Sequence, residues 1–473
     1  MPAPVRSAPP RAAVSSAVLA RLATIAGPVV IGTTGIAVLA WTWRRWPDPV
    51  VDFGREAYTA WQLAGGKTLY VDVAHFSGPL SAYVNALWMW LFGPGILTLA
   101  LCNVALTAAF VAMLYSLLVR VATRLAATAA CVVFVAIFSC GQYVRIANYN
   151  WICPYSHELP HGVVLATAAL WCLDRYHRSG RMRWMGGVGL AAGLLVLTKA
   201  EIMLAGAPAL AVGLGLTLAA ERPPARRAAA LLATFVGAAA LPLVVTFVGF
   251  ARVMPVADVL AWPLGHWRAA ARPDFMTSSY YREGMGVDDV AGSLGKLATA
   301  ALWPGLVLGA AVAGAFALRN VRAGRSLVAA VTFVATAVLV NELVPIDAWA
   351  AALRLLPVVA ALVAASSLAG FLRQRGEPER AYPFAVRTAL AVFAFGLLAK
   401  MILNARVYHY GFVLAAPATV VLVVAVVEWL PAAVERRGGY GGVVRAVALG
   451  ALAAAIPTHL AFEETLLARK GVP

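Results

Sequence analysis

The sequence is poor in charge and poorer still in acid. Of its 473 residues only 12% are charged while 62% are hydrophobic, and 38 Lys and Arg face 21 Asp and Glu. A water-soluble domain carries roughly twice that share of charge, so a soluble globular fold is excluded. Cysteine is sparse as well: Cys102, Cys131, Cys140, Cys153 and Cys172 form no CxxC pair, and no disulfide framework is indicated. The alternation over about ten residues that marks an outer-membrane barrel is missing. So is the internal repeat of transporters built from paired halves. The net charge of +17 does not point to nucleic acid, because the basic residues fall in short clusters between apolar runs. The basic N-terminus lacks a cleavage site, and its first apolar run is long enough to remain as a span.

What is present is a series of apolar runs of helical length, each able to cross a hydrocarbon core of roughly 30 Å. The expected fold is an all-α polytopic membrane protein. Segment 79–95 (PLSAYVNALWMWLFGPG) decides its topology. If it crosses, the basic clusters that follow fall outside. If it lies in the interface, the clusters at 120–124, 175–183, 222–227, 319–325, 373–387 and 436–445 all share the side of the N-terminus. The positive-inside rule selects the second register, and the short length with Trp88 and Trp90 suits an interfacial helix. Thirteen spans follow: 23–43, 96–118, 125–141, 159–173, 185–198, 202–220, 228–250, 296–318, 326–343, 347–370, 388–402, 411–430 and 445–461. The two long non-cytoplasmic loops are then 44–95 and 251–295, and long loops in compact proteins are usually functional.

Polar groups collect on that non-cytoplasmic face. The first loop holds Asp52 just after span one, Glu56 one helical turn later, then Asp72 and His75, with Gly65 and Gly66 breaking the helix. Its plain alternative is a solvated loop whose carboxylates pair with Arg55 and Lys67. The second loop gathers Arg145, Asn148, Tyr149, Asn150, Tyr155, His157, Glu158 and His161. An aromatic interface belt accounts for its tyrosines but not for Glu158 and the histidines. HELPH at 157–161 has the HExxH form of zinc proteases. Pro160, however, is tolerated only in a first helical turn, so the helix starts near Leu159 and His157 stays in the loop. Lys199 and Glu201 occupy the turn LTKAE, where Lys199 either pairs locally or holds a phosphate. Arg406, Tyr408, His409 and Tyr410 follow Lys400 and Asn404, at headgroup level, where an Arg and a Lys suit a lipid phosphate. Loop 251–295 adds His266, Arg268, Arg272, Tyr280, Tyr281, Arg282, Asp288 and Asp289.

The pattern Y-x-A-x-x-L-x-x-G-x-x-x-Y-x-D, after an acid at the end of span one and before a GPL segment, resembles the GT-C membrane glycosyltransferases. The likeness is greatest to the protein O-mannosyltransferase and lipid A aminoarabinose transferase group. It is carried by Asp52, Tyr58, Ala60, Leu63, Gly66, Tyr70, Asp72 and Pro79. It is clear over 40–200 and weaker over 201–473, giving a conserved module 1–220 and a variable module 221–473. The resemblance implies a polyprenyl-phosphate sugar donor, a lipid, glycan or protein acceptor reached from outside the plasma (inner) membrane, inversion at the sugar, and no nucleic-acid partner. It implies catalysis by Asp52, with Glu158 as the second acid. Lys199, Arg406, Tyr408 and His409 are then expected at the donor phosphate. Glu56, Asp72, His75, Tyr149, Asn150, Tyr155, Tyr281 and Arg282 are expected to meet sugar or acceptor. A divalent ion (Mg, Mn or Zn) on Asp52, Glu158 and His157 stays open. A transporter or flippase of a lipid-linked glycan is the alternative, but it should carry charges within its spans, and here only Arg354, Glu342 and Asp347 come near one.

Overall fold

The computed structural model describes residues 11–145, 149–271, 277–321 and 323–470. Among them the regular structure is helical, apart from one isolated bridge between Leu69 and Val73. The first nine helices are α1 (Arg11–Trp41), α2 (Phe53–Ala64), α3 (Leu80–Phe92), α4 (Ile96–Val121), α5 (Arg124–Val133), α6 (Glu158–Ser179), α7 (Met182–Val196), α8 (Ala200–Glu221) and α9 (Ala225–Phe250). Helix α5 runs on through a π-helical turn, Phe134–Ser139, into the second loop. Each of the thirteen expected spans coincides with a helical segment. Ten helices among the described residues are long and apolar enough to cross a membrane. The segments Arg124–Ser139 and Met182–Val196 are shorter, and α6 is polar at both ends, so the count of thirteen rests on these three.

Helix α3 has 13 residues, about 20 Å at 1.5 Å per residue, too short for a hydrocarbon core. It buries Ser81, Ala82, Asn85, Ala86 and Met89 on one face and exposes Leu87, Trp90, Leu91 and Phe92 on the other. That is the pattern of a helix lying in an interface. Helix α2 buries Phe53, Glu56, Thr59, Ala60 and Leu63 at helical spacing. It stops at Gly65–Gly66, where Gly66 takes φ +92°, a conformation open mainly to glycine.

Small residues let the spans approach closely. A Cβ on Gly189 would stand 2.2 Å from the Phe235 carbonyl oxygen and one on Gly193 2.1 Å from that of Ala239, so this G-x-x-x-G face of α7 lies directly on α9. Leu232, Val236, Leu241, Val244 and Val245 of α9 point outward, as lipid-facing residues should. The main core joins α4 to α8 with the helices Leu356–Gln374, Pro378–Leu397 and Ala416–Val424.

The basic clusters meet at one end of this bundle. Arg120 and Arg178 hold Asp174 at 3.4 and 3.0 Å. Glu221 accepts from Tyr176 and Tyr382 and faces Arg227. Glu428 accepts from Thr123 and faces Arg445. The two long loops and helices α2 and α3 lie at the opposite end.

Candidate active site

The site begins with a strained turn. Phe53 N donates to the Val51 carbonyl over 2.6 Å, closing a three-residue γ-turn around Asp52, which takes φ 59° and ψ −47°. This hand of γ-turn is the rare one, and it leaves the Asp52 side chain exposed without a capping bond at the start of α2. One turn later Glu56 is buried. Its Oε1 accepts from Arg55 at 3.2 Å, and its Oε2 accepts from the His157 backbone N–H at 3.2 Å and faces His157 Nδ1 at 3.0 Å. Arg55 also reaches the Tyr155 carbonyl at 3.5 Å. Burial works against the Arg55 charge, but the adjacent Glu56, with Glu158 and Asp52 behind it, outweighs that and raises its pKa. The first loop is thereby tied to the second.

The GPL segment makes the next tie. Gly78 N donates to the Thr198 carbonyl at 2.7 Å and Leu80 N to that of Leu197 at 3.1 Å, so the first loop docks on the α7–α8 turn beside Lys199. A Cβ on Gly78 would meet the Leu197 oxygen at 2.2 Å, which is why glycine stands there. Lys199 Nζ donates to Ser156 Oγ at 3.2 Å, and Ser156 Oγ donates to Glu158 Oε2 at 2.5 Å. Glu158 Oε1 lies 3.2 Å from His75 Nε2, close in distance but off the line of a good hydrogen bond. Burial opposes protonation of His75, yet the Glu158 carboxylate more than compensates, and its pKa rises. A chain from Lys199 through Ser156 and Glu158 to His75 thus joins both loops.

The C-terminal half supplies a second cation. Lys400 Nζ binds Glu201 Oε1 at 2.7 Å and sits 4.0 Å from the Tyr410 ring centre. Lys199 Nζ is 5.0 Å from the Tyr155 ring, whose centre is 5.6 Å from that of Tyr410. Tyr149 packs on Tyr155 and on His409, with centres 5.2 and 4.9 Å apart. Tyr281 lies against Lys400 at 5.8 Å. His409 is held at φ 55°. Burial, then the charges of Arg406 and Lys400, bring its pKa down to about 4. Burial also lowers the pKa of Arg406.

An apolar cavity of about 420 Å³ is lined by Pro79, Leu80, Tyr83, Leu197, Val245 and Phe250. It lies between α3, the end of α7 and α9, two residues from Lys199.

Several expected residues have other work. Asp72 accepts from the Thr68 N–H at 2.7 Å and closes its own turn. Asn150 is fully buried and fastens Cys153 N and the Trp46 carbonyl. Arg282 bonds the nearby Val287 carbonyl. Tyr408 is 40% exposed, with Arg406 over its ring at 5.4 Å. Arg406 otherwise donates to the carbonyls of Gly284 and Asn404, so it braces two loops. Asn148 and Arg272 lie outside the described residues. Lys199 does not bond Glu201, whose hydrogen-bonded partner is Lys400. Sequence reasoning gave no role to Ser156 or Tyr410, because single Ser and Tyr residues carry no spacing signal.

Helix α6 begins at Glu158 with His157 as its N-cap and Pro160 in the first turn. His161 Nδ1 faces Ser81 Oγ at 3.0 Å, and its ring is 6.0 Å from that of His157. The zinc-protease arrangement of HELPH is therefore not made. Among the described residues no three His, Cys, Asp or Glu side chains stand together in a way that could hold a metal. Asp52, Glu158 and His157 do not form a ready-made metal site.

Residues 76–250 match the family described as dolichyl-phosphate-mannose-protein mannosyltransferase. No curated protein sequence matches the chain. Its fold is shared with the archaeal oligosaccharyltransferase AglB from Archaeoglobus fulgidus, in a complex with an inhibitory peptide and a dolichol-phosphate. The TM-score is 0.52 at 17% identity, covering 96% of this chain and 57% of that one. The apo form of the Archaeoglobus fulgidus oligosaccharyltransferase gives a TM-score of 0.51 at 17% identity, over 95% and 57% of the two chains. This chain thus spans a little over half the length of those structures. It has the fold of the GT-C membrane glycosyltransferases, as its motif suggested.

Proposed function

We propose that the protein transfers a sugar from a polyprenyl-phosphate donor to an acceptor at the non-cytoplasmic face of the plasma membrane. The observation that carries this reading is the meeting of three features within a GT-C fold. They are an exposed carboxylate on a strained turn, two lysines on one aromatic cluster, and an apolar cavity lined in part by Leu197, two residues before Lys199. The cavity suits an isoprenoid tail and the lysines suit the phosphate it carries. An acceptor hydroxyl or amide attacks the anomeric carbon, its proton passes to Asp52, and the bond from that carbon to the phosphate oxygen breaks. Polyprenyl phosphate leaves with the bonding pair, its charge met by Lys199 and Lys400. Glu158, bridged to Lys199 by Ser156, sets the direction of that ammonium. The dolichol-phosphate and peptide bound by the archaeal oligosaccharyltransferase favour a lipid phosphate here and leave lipid, glycan and protein acceptors to be compared.

The test is direct. Purified protein in nanodiscs is given polyprenyl-phosphate hexoses and pentoses, each with a lipid, a glycan and a peptide acceptor, and labelled product is counted. Transfer from one donor, abolished in Asp52→Asn, is expected. No transfer from any donor, together with movement of a lipid-linked glycan between leaflets, would replace this reading with the flippase.

A further inference from the structure

Four side chains from two separate segments stand in series at the edge of the site. Arg406 Nη2 is 3.5 Å from His409 Nδ1. His409 Nε2 is 3.1 Å from Tyr280 Oη. Tyr280 Oη is 3.2 Å from Tyr410 Oη. Taken singly, the two links to Tyr280 can run in either direction. The first link cannot, because a guanidinium has only donors. Nδ1 must accept, so a neutral His409 carries its proton on Nε2. The nearby cations and burial keep the ring neutral above about pH 4. The Nε2–H then donates to the Tyr280 oxygen, and Tyr280 gives its own proton to the Tyr410 oxygen. The chain has one polarity from end to end. It terminates in the Tyr410 hydroxyl proton, which has no acceptor among the described residues.

Two further facts say what that proton meets. The Tyr410 ring lies under Lys400 Nζ at 4.0 Å and beside the Tyr155 ring that carries Lys199, so one ammonium rests on the phenol and the other on the ring packed against it. The backbone spends strain to hold the chain, since His409 sits at φ 55°, a region that non-glycine residues seldom adopt. Such outliers persist where the surroundings over-determine them, and often where function needs them.

We infer that Tyr410 reads the anion: its O–H, aimed by the chain from Arg406 through His409 and Tyr280, donates to a phosphate oxygen held between Lys199 and Lys400. Tyr410 is the binding residue, and Tyr280 and His409 position it. This assignment rests on the glycosyltransferase reading for the identity of the anion. Burial holds the phenol well above its ordinary pKa, so it stays a donor at every working pH. A donor of fixed direction also discriminates. It bonds a charged phosphate oxygen more strongly than the neutral hydroxyl oxygen of a free polyprenol.

The test compares binding of a polyprenyl phosphate and of the polyprenol of equal length to the full chain in nanodiscs. The wild type should prefer the phosphate by at least about tenfold, the scale of a hydrogen bond to a charged group. Tyr410→Phe keeps the ring and should lose about tenfold in phosphate binding, with a smaller loss in polyprenol binding. Tyr280→Phe should lose less, because it frees Tyr410 to turn without removing its proton. Tyr280→Phe should add nothing in a Tyr410→Phe background, since both act through one hydroxyl, whereas two packing defects would add. Unchanged phosphate binding in Tyr410→Phe would overturn the assignment and leave the glycosyltransferase reading standing, as would additive losses in the double variant. A wild type that binds polyprenol as tightly as its phosphate would bring down the reading beneath it.

Discussion

The two ends of the bundle spend charge in opposite ways. At the basic end three acids are each matched by a base, Asp174 by two arginines, Glu221 by Arg227 and two tyrosines, Glu428 by Arg445 and Thr123, although Asp174 Oδ2, Arg175 Nε, His177 Nδ1 and Arg387 Nε there are also buried without a well-aligned partner. At the other end the matches are incomplete. Asp52 is exposed on a strained turn, and His157 Nε2 and His75 Nε2 are buried without a well-aligned partner. Of five non-glycine residues with positive φ among the described residues, Arg44, Asp52, Tyr70 and His409 are at this end and only Arg222 is at the other. Closed pairs hold helices together and present nothing to a ligand. Open ones cost stability, and a fold keeps them where chemistry repays the loss.

The largest break in that comparison should come from Asp52→Asn, which keeps shape but cannot take a proton. Loss of a general base costs about 10²–10⁴ in rate. The side chain is exposed, so the melting temperature should stay within experimental error of wild type. Sugar transfer at the wild-type rate in purified Asp52→Asn would move the role to Glu56 or Glu158.

Next come the lysines. Lys199→Ala and Lys400→Ala should each raise the donor KM by about tenfold, with turnover partly recovered at high donor concentration. Lys400→Ala also leaves Glu201 without its partner, so its melting temperature should fall where that of Lys199→Ala does not. With the proposed placing of these cations at the leaving phosphate, transfer should survive treatment with EDTA. A loss restored by Mg²⁺, Mn²⁺ or Zn²⁺ would bring back the metal trio of Asp52, Glu158 and His157 as the alternative.

A smaller effect should follow pH. The folded His75 has a pKa above the ordinary 6.5 because Glu158 outweighs burial. Its contribution to stability is therefore complete below about pH 6.5 and is lost as pH rises through the raised value. Thermal unfolding from about pH 5 to about pH 9 should show this decline in wild type and not in His75→Gln. The same slope in both proteins would place the titrating group elsewhere.

How far the sequence reached follows from what each residue depends on. The segment 79–95 was legible as an in-plane helix because charge bias and length are local properties, and α3 is indeed too short to cross. The start of α6 at the HELPH segment was legible from Pro160 alone, which falls in its first turn. The partner of Glu201 was not, because Lys400 lies 199 positions away and reaches it only through the packing of the helix Pro378–Leu397 on α8. Ser156 was overlooked between Tyr155 and His157, since its bridge from Lys199 to Glu158 exists only once the α7–α8 turn abuts the second loop. Asp72 and Asn150 were over-read for the converse reason. Side chains that close a turn or cap a loop look, in sequence, like side chains that wait for a ligand.

The smallest effect is expected at the basic end, and it is the control for everything above. Asp174 is buried but paired with Arg120 and Arg178, whose side chains are 44% and 35% exposed. Such part-exposed pairs are worth about 1 kcal/mol or less. Asp174→Asn keeps the size of the side chain and some of its hydrogen bonding. It should lower the melting temperature by no more than a few degrees, about what 1 kcal/mol does in a chain of this size, and leave the donor KM and turnover unchanged. The matched ends of α4 and α6 are separated from Lys199 by the length of a span, about 30 Å, so no contact joins them. If Asp174→Asn changed turnover without changing stability, the division between a closed structural end and an open chemical end would fail. The search for the proton acceptor would then have to take in both faces of the membrane.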